Sequence, residues 1–327
     1  MAVRTFIEAI RGTLADEMRR DEGMIVLGED VGKKGGVFLA TDGLYDEFGP
    51  HRVIDTPLTE SLIVGASIGA AVNGLRPVPE IQFADFIFPA FNQIVSEAAR
   101  MRYRSNGTFG CPITIRAPYG GGVHGALYHS QSVEAFFAHV PGLKVVIPST
   151  PYDARGLLRS SIRDDDPVLF FEHKKLYRSV RGEVPESDYV VPLGRAQVTR
   201  PGSQLTVVAY GLMAHYSLEA AELAEAEGIS VEVIDLRTLR PLDGETLLAS
   251  VRKTGKCLVV YEDNRFGGYG AEVAALLAEE AFDYLDGPIL RVAGPDVPGV
   301  PYSHVLEDWF MVSPEKIVEG IRRLAAY

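Results

Sequence analysis

The chain has 327 residues, 46% hydrophobic and 23% charged, with a formal net charge of -12. That is enough apolar material for a sizeable core, and the length suggests two domains. The acidic balance argues against non-specific nucleic-acid binding, which needs a basic face, but allows docking to a basic partner. No uncharged apolar run approaches the roughly 20 residues that cross a bilayer, and the N-terminus has no apolar signal core. Cys111 and Cys257 are the two cysteines and lie in apolar, strand-like surroundings. They read as reduced core residues of a cytoplasmic protein.

Thr5 and Glu8 form a capping-box pattern, and Phe6, Ile7, Ile10, Leu14 and Met18 follow at helical spacing. Met24–Leu27 reads as a short buried strand ending in Gly28-Glu29-Asp30. Acids at the carboxyl end of a strand sit where open α/β sheets place ligands. The Gly-rich stretch 32–36 lacks a phosphate-loop pattern. Val53-Ile54 is a strand that enters Asp55-Thr56-Pro57-Leu58-Thr59-Glu60. The helix after it, to Gly74, is built of apolar and small residues with Glu60 as its one ionisable group. A carboxylate there is either a dipole partner or a buried functional acid.

Pro79–Phe83 reads as a strand running into Ala84-Asp85-Phe86, and a helix is expected to carry Phe88, Phe91, Ile94 and Val95 to a basic end at Arg100, Arg102 and Arg104. Pro112–Ile115 is a strand. The stretch from Tyr119 to Ser132 is Gly-rich, carries His124 and His129, and fits neither helix nor strand, so something else must order it. Lys144–Ile147 and Val168–Phe171 are strands around a helix at 150–163. The β-α-β alternation predicts a parallel sheet with helices on both faces. It breaks in a charged, Pro-bearing stretch, and residues 181–200 are expected to be a linker between a first domain at 1–180 and a second, smaller α/β domain at 201–327. There the alternation restarts and ends in a helix capped by Ser313 with Pro314 at its first position.

No nucleophile elbow, HExxH or CxxC is present. Gly267, Gly268 and Gly270 open a helix without a dinucleotide fingerprint, which favours tight helix–strand packing. His129, in a loop that needs ordering, is a stronger functional candidate than His124. Asp164-Asp165-Asp166 is either a solvated turn or, with nearby carbonyls, a hard-cation site. A Gly-Asp-Gly element with a distal Asn pair, the usual holder of a diphosphate-bound magnesium, is missing.

Leu27-Gly-Glu-Asp-Val31, Asp55–Glu60, Glu80-Ile-Gln-Phe-Ala-Asp-Phe86, Tyr128–Ser132, Val146–Asp153 and Asp235–Leu242 occur in this order. Together they resemble the β subunit of the thiamine-diphosphate-dependent 2-oxo acid dehydrogenases, over essentially the whole chain. The resemblance implies a pyrimidine-binding domain followed by a transketolase-like C-terminal domain. It implies that Glu60 holds the pyrimidine nitrogen of thiamine diphosphate, that Phe86 stacks on the aminopyrimidine where many relatives have Tyr, and that Glu29, Leu58 and Gln82 line that end. It puts His129 near the thiazolium and the oxo acid, and a structural potassium at Ile113, Ser161, Ile162, Asp164 and Asp166. Asp166 stands where Asn is common. Magnesium and diphosphate would belong to a separate α subunit in an α2β2 heterotetramer. The acyltransferase core would dock through its peripheral-subunit-binding domain, near acids such as Asp296 and near Tyr327, and present its lipoyl domain. The stretches 123–132 and 262–272 look more like branched-chain (2-oxoisovalerate) members, whereas Lys174 and 180–185 look more like pyruvate members; the branched-chain reading is favoured. A stand-alone transketolase-like enzyme is disfavoured by the missing diphosphate element, and a non-catalytic assembly subunit by the presence of Glu60 and His129.

Overall fold

The computed structural model describes residues 1–327. It divides into two compact units, Met1–Tyr119 with Phe136–Leu193, and Gly120–Ala135 with Gly194–Tyr327.

The first unit contains strands β1 (Ala2–Thr5), β2 (Met24–Gly28), β3 (Val53–Asp55), β4 (Arg76–Glu80), β5 (Thr114–Tyr119), β6 (Lys144–Val146), β7 (Val168–His173) and β8 (Arg181–Val184). Its helices are α1 (Phe6–Arg20), α2 (Leu44–Phe48), α3 (Glu60–Val72), α4 (Met101–Arg104), α6 (Pro151–Ile162) and α7 (Leu176–Ser179), while α5 (Glu134–Ala138) begins in the other unit. The sheet runs β6-β7-β5-β4-β2-β3 with every pair parallel. α1 starts as its capping box dictates: the Thr5 hydroxyl accepts from the Glu8 amide, and the Glu8 carboxylate accepts from the Thr5 amide. Its apolar face, Phe6, Ile10, Leu14 and Met18, is fully buried, and the helix packs on α6.

Two expectations need correction. Residues 84–104 are not one helix. They form two 3₁₀ turns, a π-helical stretch at Gln93–Ala98 and the short α4. Pro89 cannot donate to a preceding carbonyl, which breaks a regular ladder there. Residues 181–200 are not a free linker. β8 pairs antiparallel with β1 in the first unit, and β9 (Gln197–Arg200) is an antiparallel edge strand of the second. Neither shows the apolar alternation that would announce a strand, because most of their side chains stay in contact with water.

The second unit contains β9, β10 (Leu205–Ala209), β11 (Val231–Asp235), β12 (Thr238–Arg240), β13 (Cys257–Asn264) and β14 (Leu290–Gly294). Its helices are α8 (Leu212–Glu225), α9 (Gly244–Thr254), α10 (Gly270–Glu280), α11 (His304–Phe310) and α12 (Pro314–Ala325). The sheet runs β14-β13-β10-β11-β9, parallel except at β9. Gly268 and Gly270 lie against the Tyr261 ring where no Cβ fits, so these glycines serve packing. The Ser313 hydroxyl caps α12 by accepting from the Lys316 amide, with Pro314 at the first helical position. Both cysteines are buried thiols, pushed up to about 12 by burial. No helix is long and apolar enough to cross a membrane.

In the first sheet Arg116 on β5 is fully buried between Glu80 on β4 and Glu172 on β7. Its Nη1 donates to Glu80 at 2.6 Å, while Nε and Nη2 form a fork on Glu172 at 2.6 and 2.8 Å. Burial opposes the guanidinium charge, but the two carboxylates outweigh it and hold Arg116 protonated. The Tyr177 hydroxyl donates to Glu172 at 2.6 Å.

At the carboxyl end of α6 the residues expected around potassium meet partners within the chain. Arg76 Nη1 donates to the carbonyls of Ile162 and Asp164 at 3.0 and 2.9 Å. Lys144 Nζ donates to both Asp164 carboxylate oxygens at 2.7 and 2.6 Å, and Arg102 Nε donates to Asp166. The Ile113 carbonyl accepts from the Val168 amide, and the Ser161 carbonyl from the Asp164 amide. No group of three or more His, Cys, Asp or Glu is placed to hold a metal. The oxygens of the expected set accept from the chain's own donors, three of them cationic.

Two outcomes follow from these charges. Arg116→Met should cost roughly 3–5 kcal/mol in a denaturation experiment, because it strands two buried carboxylates. Replacing all three members by apolar residues should recover much of that loss. Exchanging potassium for sodium at equal ionic strength should leave the melting midpoint unchanged, while Arg76→Ala should lower stability by about 1–3 kcal/mol. A potassium-dependent midpoint would show that an ion sits there after all.

Candidate functional site

Three acid or amide side chains follow the carboxyl ends of three neighbouring strands. Glu29 comes directly after β2, Glu60 opens α3 after β3, and Gln82 comes two residues after β4. This is the rim where parallel sheets bind ligands. Glu60 is 8% exposed and stands in the first turn of α3, where the helix dipole favours a negative charge. Burial raises the Glu29 carboxyl above its ordinary range, and the charge of Glu60 and then that of Asp30 raise it further. The two acids are therefore electrostatic neighbours, and Glu29 binds its proton more tightly than an ordinary carboxyl.

Phe86 is partly buried and held edge-on by Phe83, with ring centroids 6.0 Å apart. Phe83 is in turn edge-on to Phe38 at 5.3 Å, and Phe38 meets Tyr177 at 5.2 Å. An aromatic row thus links Phe86 to the Arg116 cluster. Around Glu60 the surface is apolar and bare. Leu58 is 75% exposed and Leu62 51%, and Ala66, Gly69 and Val72 continue the exposed stripe along α3. A contiguous exposed apolar stripe marks an interaction surface. Two neighbouring acids, a fixed aromatic face and an open apolar side fit the pyrimidine end of thiamine diphosphate.

His129 belongs to the second unit and is described there by itself. It is partly exposed at the end of the Gly-rich loop, and its amide donates to the Ala126 carbonyl. Nearby acids of the same unit hold the loop. Glu262, on β13, accepts from the Gly121 amide at 2.6 Å and from the Ser132 hydroxyl at 3.3 Å. Glu307, on α11, accepts from the amides of Gly122 and His124 at 3.0 and 3.3 Å, and His124 Nδ1 pairs with its other oxygen. Fully buried Glu134 accepts from the Tyr210 hydroxyl at 2.8 Å. Burial, and then the charge of Asp263, push Glu134 up to about 8. Sequence reasoning overlooked Glu134 and Glu307. Their roles depend on partners 76 and 183–185 residues away, and no local pattern marks them.

Residues 3–180 match the family model for the transketolase pyrimidine-binding domain, and residues 194–317 that for the transketolase C-terminal domain. The 2-oxoisovalerate dehydrogenase subunit beta of Bacillus subtilis (strain 168) is 58% identical over 327 residues, covering 100% of both chains. The pyruvate dehydrogenase E1 component subunit beta of the same organism is 50% identical over the same span. A solved structure described as a split gene transketolase, inactive beta4 tetramer, superposes with a TM-score of 0.80 at 26% identity and covers 98% of each chain. With both domains matched in order and end-to-end identity well beyond what shared fold alone produces, the chain belongs to the β-subunit family of the thiamine-diphosphate-dependent 2-oxo acid dehydrogenases.

Proposed function

We propose that the chain is the β subunit of a branched-chain 2-oxo acid dehydrogenase, acting with an α subunit in oxidative decarboxylation of 2-oxoisovalerate-type acids and transfer of the acyl group to lipoamide. The observation that carries the catalytic part is the Glu29–Glu60 pair on the sheet rim beside a bare apolar helix face. The substrate preference rests on the like-for-like identities of 58% and 50% to the two Bacillus subtilis subunits over the same 327 residues. The 50% likeness keeps pyruvate as the second reading.

Thiamine diphosphate supplies the electron sink for decarboxylation. Glu60 would hold a proton at the pyrimidine ring nitrogen. Its near-complete burial strengthens that hydrogen bond, and the charge of Glu60 in turn raises the neighbouring Glu29. Phe86 would give the aminopyrimidine a flat apolar face at little entropic cost, with Leu58 and Gln82 flanking it. His129 would stabilise charge or move a proton at the oxo-acid oxygen. Magnesium and the diphosphate fall to the α subunit, which would also cover Leu58, Leu62 and Val72 and so exclude water from Glu60. An α2β2 assembly follows, docked through the C-terminal domain near Asp296 and Tyr327 to the acyltransferase core and its lipoyl domain, in the cytoplasm.

Co-expression with the α subunit and assay on 2-oxoisovalerate and pyruvate tests this reading. Turnover should be faster on the branched-chain acid, and Glu60→Gln should lower it by roughly a hundredfold or more. Normal activity of that variant would remove Glu60 from the mechanism, and full activity of the isolated chain would remove the shared site. Glu60→Gln also deletes one of the charges that raise Glu29, so Glu29 should titrate at lower pH in the variant, read by carboxyl-carbon NMR.

A further inference from the structure

The loop from Gly120 to Ser132 has too little apolar material to hold itself. Val123, Leu127 and Tyr128 are exposed, and His124 and Ala126 adopt positive φ of 57° and 55°, which costs a non-Gly residue energy. Something outside the loop must supply that energy. Its base is closed by the Gly120 amide donating to the Gln131 carbonyl at 3.1 Å and by Glu262 bonding both Gly121 and Ser132. Its middle is fixed by Glu307. One carboxylate oxygen accepts from the Gly122 and His124 amides, and the other lies against His124 Nδ1.

Glu307 is itself 1% exposed although it lies on a seven-residue helix whose other face, with Val305, Leu306 and Trp309, is open. A buried carboxylate is retained at such a place only if its hydrogen bonds are well satisfied. Two further contacts show that α11 and the loop fit one another closely. The His304 ring at the start of α11 meets the His124 ring with centroids 3.8 Å apart. A Cβ on Gly121 would lie 2.8 Å from Met311 Sδ, just past the end of α11, so a larger residue there would have to displace the Met311 side chain. The loop's own turn is equally tight: a Cβ on Gly125 would lie 2.6 Å from the His129 carbonyl. Gly125, the residue after His124, therefore packs closely on the His129 backbone.

We infer that Glu307 is a positioning residue for His129: seated on α11, its carboxylate holds the strained 122–124 segment and thereby sets where the His129 imidazole stands. Glu262 fixes the base of the same loop. This inference rests on the reading that His129 acts on the substrate.

The test uses the assembled α/β enzyme. Glu307→Ala should speed hydrogen exchange at the amides of residues 121–130 while the sheet strands remain protected. It should lower kcat by tenfold to about a hundredfold, the scale of an ångström-sized misplacement. Glu307→Gln keeps an acceptor for both amides and a donor for neutral His124, and should exchange and turn over close to the parent. In a His129→Ala background, Glu307→Ala should cost little more, because the group it positions is gone. If Glu307→Ala destabilises the fold, His124→Ala removes the other half of the ion pair from a partly exposed position and should loosen the same amides to a smaller degree. Unchanged exchange at 121–130 in folded Glu307→Ala would overturn the clamp. Additive losses in the double variant would overturn its link to His129. An active His129→Ala would instead sink the catalytic reading of His129, leaving the exchange result to judge the clamp alone.

Discussion

A single buried guanidinium organises the first unit. Arg116 lies on β5 between β4 and β7, and its donors bond a carboxylate on each neighbour. Removing any one partner leaves a charge in a medium that cannot solvate it, so the three strands are held in one register as a set. Glu80, one of those partners, is the last residue of β4, and Gln82 follows two residues later. Glu172 also accepts from Tyr177, whose ring starts the aromatic row that ends at Phe86. The rim that carries Glu29, Glu60 and Gln82 is thus braced from beneath by charge and from the side by aromatic edges.

The parts of the fold legible in the sequence are those decided locally. Thr5 and Glu8 announce the start of α1, Ser313 and Pro314 that of α12, and continuous apolar runs mark the parallel strands. Glu60 was legible because it is the lone ionisable group on an otherwise apolar helix. What the sequence hid was decided at long range. β8 and β9 are edge strands, wet on most of their residues, and carry no period. The helix expected after Phe86, from Phe88 to Arg104, has the right apolar spacing but also Pro89. The hard-cation reading of Asp164–Asp166 had the right oxygens, yet their partners Arg76, Lys144 and Arg102 lie 20 to 89 residues away.

The acids of this chain show how one side-chain type serves opposite ends. Glu172 is gripped by the Arg116 fork and structures a core. Glu29 lacks such a partner, and burial with a like charge raises its proton affinity, which suits chemistry. Glu262 and Glu307 spend their lone pairs on backbone amides and so shape a loop that has no regular structure of its own. Environment assigns the role; the formal charge of -12 conceals these differences.

The chain crosses between its two units three times, after Tyr119, after Ala135 and after Leu193. The pyrimidine-binding family model, residues 3–180, encloses the 120–135 segment, although that segment folds with the later half. A gene fragment cut at the border the sequence suggests would carry the histidine loop on one piece and both carboxylates that shape it on the other. The two halves are consequently not interchangeable cassettes. An exchange of C-terminal domains between relatives also exchanges the scaffold of a loop encoded far upstream, so the two must change together for either to remain functional.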